Sequence, residues 1–565
     1  MTTSPSISFG LFALEIKPDS TPSMSGLQSF SSANDIKTDN VSPLPYATYE
    51  PNFWKLDGNC KLLPVDTSSV HVGLMSTAMS DGSGNFSVAP VLTITFSAPH
   101  STDGMVLRFS QATGDWANSV TVAWYDASNA MIVTHDYSPT SWEFDFDLSV
   151  VNFQKIIITF HSTNKPYRYL RLTGVDYGQL LSFTGSDIRA ASIIEQIDML
   201  STTIPINTAD IQLYTTDAEF SIVNPSGAYA RLSQRQPLSI YETVNGGQLF
   251  LGQYYLDTWL NINDNEIEFS CIDLVGILDR TPYQGGIWTG SGILLQTLIS
   301  QMLGAISIPY DLDLNLYGIY VIGWIPQCTY RQALQHIAFA VGAYVDCSRS
   351  NQLKIYQAVI AADATPGTGA PITNSMKGMD QSVKLKTLVT GVEITAHNYL
   401  SVSTSVSLFN GSLDVGSYEI DFAQPVHDLS ITGATITSSG VNYAVINVTS
   451  PGTVVLSGQS YIDTTQLFSQ YNLGLNQYTT PNILKVTDAT LVNNINGQSV
   501  VSRVYDYNQQ RYLQTAKLYA PLLQPAQLVL VDTVLSSKIR GVIEQMNIDL
   551  EGGFRVDTSI VGVID

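Results

Sequence analysis

The chain has 565 residues, several times the ~100–200 of a typical domain, so three or four separate cores are expected. Charged residues make up 13% and aromatics 10%, with 29 tyrosines, a palette that suits extended β structure. Lys and Arg number 26 against 48 Asp and Glu, and this net charge of -22 excludes an electrostatic grip on nucleic-acid phosphates or an anionic membrane.

No apolar run approaches the ~18 residues needed to cross a bilayer, and no basic segment precedes an apolar stretch at residues 1–12, so neither a span nor a secretory signal is expected. Cys60, Cys271, Cys328 and Cys347 form no CxxC pair and have no zinc-like histidine spacing, which fits synthesis in a reducing compartment.

Residues 1–50, rich in Ser, Thr, Pro and Asn, read as an N-terminal arm with one strand at 7–16 that lies along a neighbour. Residues 51–178 carry short alternating strands at 91–97, 105–110, 119–125, 132–137, 155–161 and 168–175, the pattern of a jelly-roll β-sandwich. The register restarts over 179–285, with strands at 188–198, 211–215, 238–244, 248–256 and 266–274. There Asn245-Gly246-Gly247 supplies the positive φ of a hairpin turn.

Residues 286–360 form a small α/β unit. A helix at 293–303 stops at Gly304, and Thr329 with Gln332 forms a capping box for a second helix at 330–341. That helix turns Leu334, Ile337, Ala338 and Val341 inward and ends at Gly342, before strands at 344–347 and 352–356. Residues 361–480 are a linker, with Pro366, Gly367, Gly369, Pro371 and Gly378, and a β-rich return segment. Its strands fall at 383–388, 391–397, 401–408 and 452–456.

Residues 481–565 predict a strand at 484–487 and a helix at 499–512 with Val500, Val501, Val504 and Tyr505 inward. A closing hairpin follows. In it Met546, Ile548 and Leu550 alternate with Asn547, Asp549 and Glu551, turn at Gly552-Gly553, and alternate again through Phe554, Val556 and Ile560. A β-barrel with a flanking helix is the expected closure.

The chain has no HExxH, GxSxG, phosphate-cradling or dinucleotide motif, and Gly82-Ser83-Gly84 and Gly290-Ser291-Gly292 read as turns. Its seven histidines include no i, i+4 pair, so no metal, no cofactor and no enzymatic activity are expected. Glu143, Asp145 and Asp147 share one strand face and are read as solvated rather than as calcium ligands or glycosidase carboxylates. Trp116, Trp124, Tyr125, Tyr137 and Trp142 gather near loop and strand ends, where flat rings can stack on sugars. Trp116, Tyr125 and Trp142 are the candidate glycan-binding residues, with Trp116, between Asp115 and Asn118, the expected exposed platform; Trp124 is equally a core residue.

Several strings, taken in order, resemble bacteriophage tail-tip and baseplate hub proteins, in particular the tail-associated proteins of Gram-positive prophages. Residues 47–58, ATYEPNFWKLDG, look like the opening of such proteins. Ser80-Asp81-Gly82 and Pro166-Tyr167-Arg168-Tyr169 resemble the galactose-binding-like insert that they often carry. Residues 188–280, ending DLVGILDR, are similar to a first tail-tube-like hub domain, and Thr329–Gln335 (TYRQALQ) to the α/β insert. Residues 484–564, with Gly541-Val542-Ile543-Glu544 and Gly552-Gly553-Phe554, are similar to a second hub domain.

The resemblance implies a mainly β, multidomain fold: a jelly-roll sandwich, two β-barrel hub domains and a small α/β insert. It further implies a homotrimeric ring that adapts the six-fold tail tube, meets distal tail, tape-measure and other baseplate or receptor-binding proteins, and encloses a DNA channel without binding DNA specifically. The sandwich would then be an accessory glycan-binding module, the chain would belong to the virion tail tip after assembly in the host cytoplasm, and the alternative is a glycan-binding tail adhesin.

Overall fold

The computed structural model describes residues 3–565 except 38–40, 42–45, 52, 54–59, 61, 64–70, 216–217, 219, 222–223, 225–227, 229–231, 473, 475–479, 534–536 and 552, and except the side chains of 379 and 380. The chain is mainly β and multidomain, with few helices.

Alternating Val, Ile and Phe build the sandwich from Leu74–Met79, Val91–Phe109, Ala117–Tyr125, Met131–Tyr137, Glu143–Thr163 and Tyr169–Thr184. The two strands expected at 91–97 and 105–110 are one continuous strand. Irregularities between Thr95 and His100 and between Thr102 and Gly104 let it bend without ending. Trp124 is fully buried and meets Phe153 edge-on at 4.7 Å, so it is a core residue.

The expectation of an arm lying along a neighbour is corrected for the first strand, Thr3–Phe12. It pairs antiparallel with residues 178–184 on one side and 238–244 on the other. Its alternating Ile7, Phe9 and Leu11 need a covered face, and they find it within the chain, with Phe9 at 4.9 Å from Phe269. Ser20–Met24 pairs in turn with the sandwich strand Val91–Phe109.

The region expected as a first hub domain consists of Ile188–Gln196, Thr208–Tyr214, Pro237–Val244, Gly247–Asn263 and Glu266–Ile272. Its hairpin turn has Asn245 at φ 51° and Gly246 at φ 87°, flanked by the pair Val244 and Gly247, as a two-residue turn with two positive φ values requires. Tyr512–Leu518, Leu528–Asp532, Lys538–Asp549 and Arg555–Ile564 form the second. The two regions are not separate. Residues 545–549 pair antiparallel with residues 192–196, and one core holds Ile193, Ile211 and Phe269 together with Met546, Ile548, Val556 and Ile560. Gly552 of the closing turn lies outside the described residues.

Between them sits the α/β insert. Helix Tyr330–Val341 runs from the Thr329 and Gln332 capping box to Gly342 at φ 81°, where an added Cβ would also lie 2.6 Å from Arg503. The other helix is Leu295–Ala305, so Gly304 lies inside it rather than stopping it, while Ile293 belongs to strand Gly286–Leu294. The proline-rich stretch adds strands to this shared sheet instead of swinging free: residues 370–372 run parallel to 529–531, and Lys377–Leu385 pairs with Tyr512–Leu518.

The return segment is a long ribbon, Gly391–Leu413 with Gly452–Tyr471, that ends in a small β unit with its own core of Phe422, Val426, Ile446 and Leu456. Buried Asn442 clamps that unit to the insert, accepting from Trp324 Nε1 at 2.7 Å and donating to the carbonyls of Gln284 and Ile325. The last helix spans Gly497–Gln509. Its buried face is Val500, Val501, Val504 and Tyr507, and Tyr505 is half-buried because the turn carries Tyr507 onto the core side.

Candidate functional site

Two of the three aromatic candidates, Trp116 and Trp142, pack against the sandwich core. Trp116 is held through its backbone, its N–H donating to Asn164 Oδ1 at 3.0 Å and its carbonyl accepting from the Asn164 N–H at 2.9 Å. The Trp142 carbonyl accepts from the Phe109 N–H, and both indole rings are half-buried against the sandwich core rather than standing free. Tyr125 lies at the far end of Ala117–Tyr125, roughly 25–30 Å away at the rise of a β-strand, with Lys155 Nζ 4.5 Å above its ring.

Beneath Trp116 the loop end is charged. Buried Asp115 pairs with Lys165 at 2.9 Å and lies 3.5 and 3.6 Å from Arg168 and Arg171. Arg171 makes a two-pronged contact with buried Glu50 and covers the Phe53 ring at 4.7 Å. Tyr167, at φ 55°, closes over Gly82, where any Cβ would lie 2.7 Å from the tyrosine hydroxyl. Half-buried Trp116 is hydrogen-bonded through its backbone to Asn164, three residues before exposed Tyr167, while the Lys165 amine between them is engaged by Asp115 and by the Thr113 carbonyl at 2.7 Å. An aromatic ring and a tyrosine hydroxyl at one loop end are groups that can meet a polyhydroxylated ligand.

The three carboxylates of Glu143–Thr163 do not act together. Glu143 accepts from Arg108 Nε at 2.9 Å, and Arg108 also binds Asp176, which Lys17 reaches at 2.8 Å. Asp145 is exposed; desolvation by its surroundings and the charge of Asp147 raise its carboxyl above the usual range. Among the described residues no group of three His, Cys, Asp or Glu side chains is set to hold a metal ion.

A second cluster, which sequence reasoning missed, lies at the seam between the two halves of the shared sheet and the insert. Fully buried Glu195 accepts from Arg349 Nε at 2.7 Å. Arg349 also donates to the Pro521 carbonyl at 3.4 Å and stands 5.8 Å over the Phe554 ring. One guanidinium thus touches the N-terminal half of the shared sheet through Glu195 and the C-terminal part of the chain through Pro521 and Phe554. Burial pushes the Glu195 carboxyl up, and the Arg349 charge opposes that shift.

Nearby, buried Asp273 caps helix Leu274–Asp279 through the Gly276 N–H at 3.1 Å, accepts from the Asn207 N–H at 3.1 Å, and is pushed up to about 7 by burial. Glu544 is likewise pushed up to about 7 by burial while it accepts from Tyr507 Oη at 2.6 Å. The available signal was a lone acid closing an apolar run, Ile193-Ile194-Glu195. Its partner lies 154 positions away, beyond the reach of any local pattern.

No protein-family model matches the chain. No curated protein sequence matches it either. Among solved structures it resembles a tail protein from Neisseria meningitidis MC58, at 11% identity and a TM-score of 0.40, with 67% of this chain and 93% of that one covered. It also resembles prophage tail protein gp18 from Listeria monocytogenes EGD-e, at 10% identity and a TM-score of 0.37, with 67% and 91% covered. Over 28% of the chain it resembles the lectin domain of lectinolysin, solved with Lewis B antigen, at 10% identity and a TM-score of 0.18, with 91% of that domain covered. At these identities and scores the likenesses carry no functional conclusion.

Proposed function

We propose that the chain is a non-enzymatic structural subunit of a phage tail-tip hub, forming a trimeric ring that adapts the six-fold tail tube and encloses the DNA channel. One observation carries this reading. Two regions separated by the whole α/β insert and return segment merge into one sheet over one core, with residues 192–196 hydrogen-bonded to 545–549. A rigid two-part wall of this kind suits a ring wall, and the order of sandwich, hub region, insert and hub region supports it together with the sequence resemblance. A net charge of -22 suits a channel through which DNA slides without sticking.

Distal tail, tape-measure and other baseplate or receptor-binding proteins are its partners in this reading, and the virion tail tip is its location. Light scattering with negative-stain class averages of the purified chain is expected to give three copies around a central hole. A monomer at every concentration rejects the ring.

The loop end of the sandwich supports a second role, glycan binding, because Trp116 is hydrogen-bonded to Asn164, three residues before exposed Tyr167, next to a buried charge network. On a glycan array the chain is expected to bind, with Trp116→Ala weakening the signal about tenfold or more, as loss of a stacking aromatic does. A blank array, or binding indifferent to Trp116→Ala, rejects this role for Trp116.

A further inference from the structure

The hub sheet can be followed strand by strand through its pairings. From Lys377–Leu385 it passes to Tyr512–Leu518, Arg555–Ile564, Lys538–Asp549, Ile188–Gln196, Thr208–Tyr214, Glu266–Ile272, Gly247–Asn263, Pro237–Val244, Thr3–Phe12 and finally residues 179–184. Every step is antiparallel. Among the described residues, Lys377–Leu385 has a strand on one side only, and so do residues 179–184.

The first of these edges is unfinished. Val383 pairs with Gln514, which is buried on the core face beside Ala516 and Leu518, and side chains on paired residues share a face. Val383 and Leu385 therefore stand on the core side of the sheet, yet they are 51% and 59% exposed. The buried Oε1 of Gln514 has no hydrogen-bond partner among the described residues. The alternation Gln381-Ser382-Val383-Lys384-Leu385 specifies a strand with one covered face, and this chain by itself does not cover it. An open edge bearing apolar side chains is a template for another strand.

Charge indicates what the other strand belongs to. Lys377, Lys384 and Lys386 lie within ten residues against the single acid Asp380, and Arg511 adjoins them, its Nε donating to the Lys386 carbonyl at 3.1 Å. In a chain of net charge -22 such a basic edge is complementary to the rest of its own kind. The opposite edge suits it: Gly178 abuts Gly104, next to exposed Asp103, and Asp187 closes the turn that follows Thr184.

Resting on the ring reading above, we propose that Lys377–Leu385 is the subunit-joining edge and adds to residues 179–184 of a second copy of this chain. Joining two unlike edges is a head-to-tail contact, the kind that closes into a ring. An even number of antiparallel steps separates the edges, so both run in the same sense and the new pair is parallel. Exposed Lys384 then lies toward Asp187, and Ser182 and Ser382 fall on the solvent face, where Ser382 already meets Thr515.

The test mixes two full-length variants, Ser182→Cys alone and Ser382→Cys alone, under mild oxidation with the unaltered chain alongside. A disulfide between copies is expected only in the mixture, and peptide mapping should join position 182 to position 382. In parallel Lys384→Glu, at an exposed site, is expected to raise the dissociation constant seen by light scattering about tenfold or more, with the melting temperature of the dissociated subunit unchanged. A ring that forms with no such disulfide and ignores Lys384→Glu overturns this edge assignment and leaves the ring standing; a monomer under all conditions overturns both.

Discussion

Replacing Arg349 with alanine is expected to lower the stability of the folded chain by about 3–5 kcal/mol, the usual cost of leaving a buried charge without its partner. The side chain of Arg349 is 7% exposed and that of Glu195 is fully buried, so solvent cannot take over the lost contact. The substitution also removes the donor to Pro521 and the cation over Phe554, which join the insert to the C-terminal hairpin. Replacing both partners by residues of similar size, Arg349→Met with Glu195→Met, is expected to recover most of the loss, since no isolated charge remains. Denaturant unfolding of the two variants and the parent measures this. Equal losses in the single and double variants would show that the pair is not what holds the seam.

Glu544→Gln is expected to change the pH profile of stability rather than only its level. In the folded chain burial holds this carboxyl at about 7, against an ordinary value of 4.5. A group whose folded pKa is raised binds more protons in the folded than in the unfolded state between those two values, so stability falls as pH rises from about 4.5 to about 7. The full effect is on the order of 3 kcal/mol, and it is reached above pH 7. Glutamine keeps an acceptor for Tyr507 Oη and cannot ionise. Relative to its own value near pH 5, the variant should therefore hold its stability at pH 8 better than the parent by up to that amount. Asp273 falls in the same sense over the same range, whereas Asp176, held low by Lys17 and Arg108 despite its burial, works oppositely and only toward strong acid. Parallel profiles for parent and variant would mean that Glu544 is not protonated in the folded chain at pH 5.

Local elements were legible wherever the signal was short-range. The Thr329 capping box, the Gly342 stop, the Asn245-Gly246 turn and the alternation of Met546, Ile548, Val556 and Ile560 all stand where the sequence puts them, because each depends on neighbours within a few residues. The candidate site was legible only in part. Aromatic spacing points to Trp116 and Trp142 but cannot tell that each is half-buried against the core, nor that Tyr125 ends at the far end of its strand. The Asp115 and Glu50 pairings with Lys165, Arg168 and Arg171 span loops far apart in the chain and leave no local trace.

The sequence by itself determined a mainly β, multidomain chain, since periodicity, turn residues and caps act locally. Only the tertiary structure decided that Thr3–Phe12 belongs to the chain's own sheet, that the strands before and after the insert share one core, and that Arg349 binds them at their seam. Those outcomes turn on which apolar faces and which buried charges meet across more than a hundred residues. Burial of area and pairing of charge select such partners by position in space, and the alternation along a strand says that a face must be covered without saying by what.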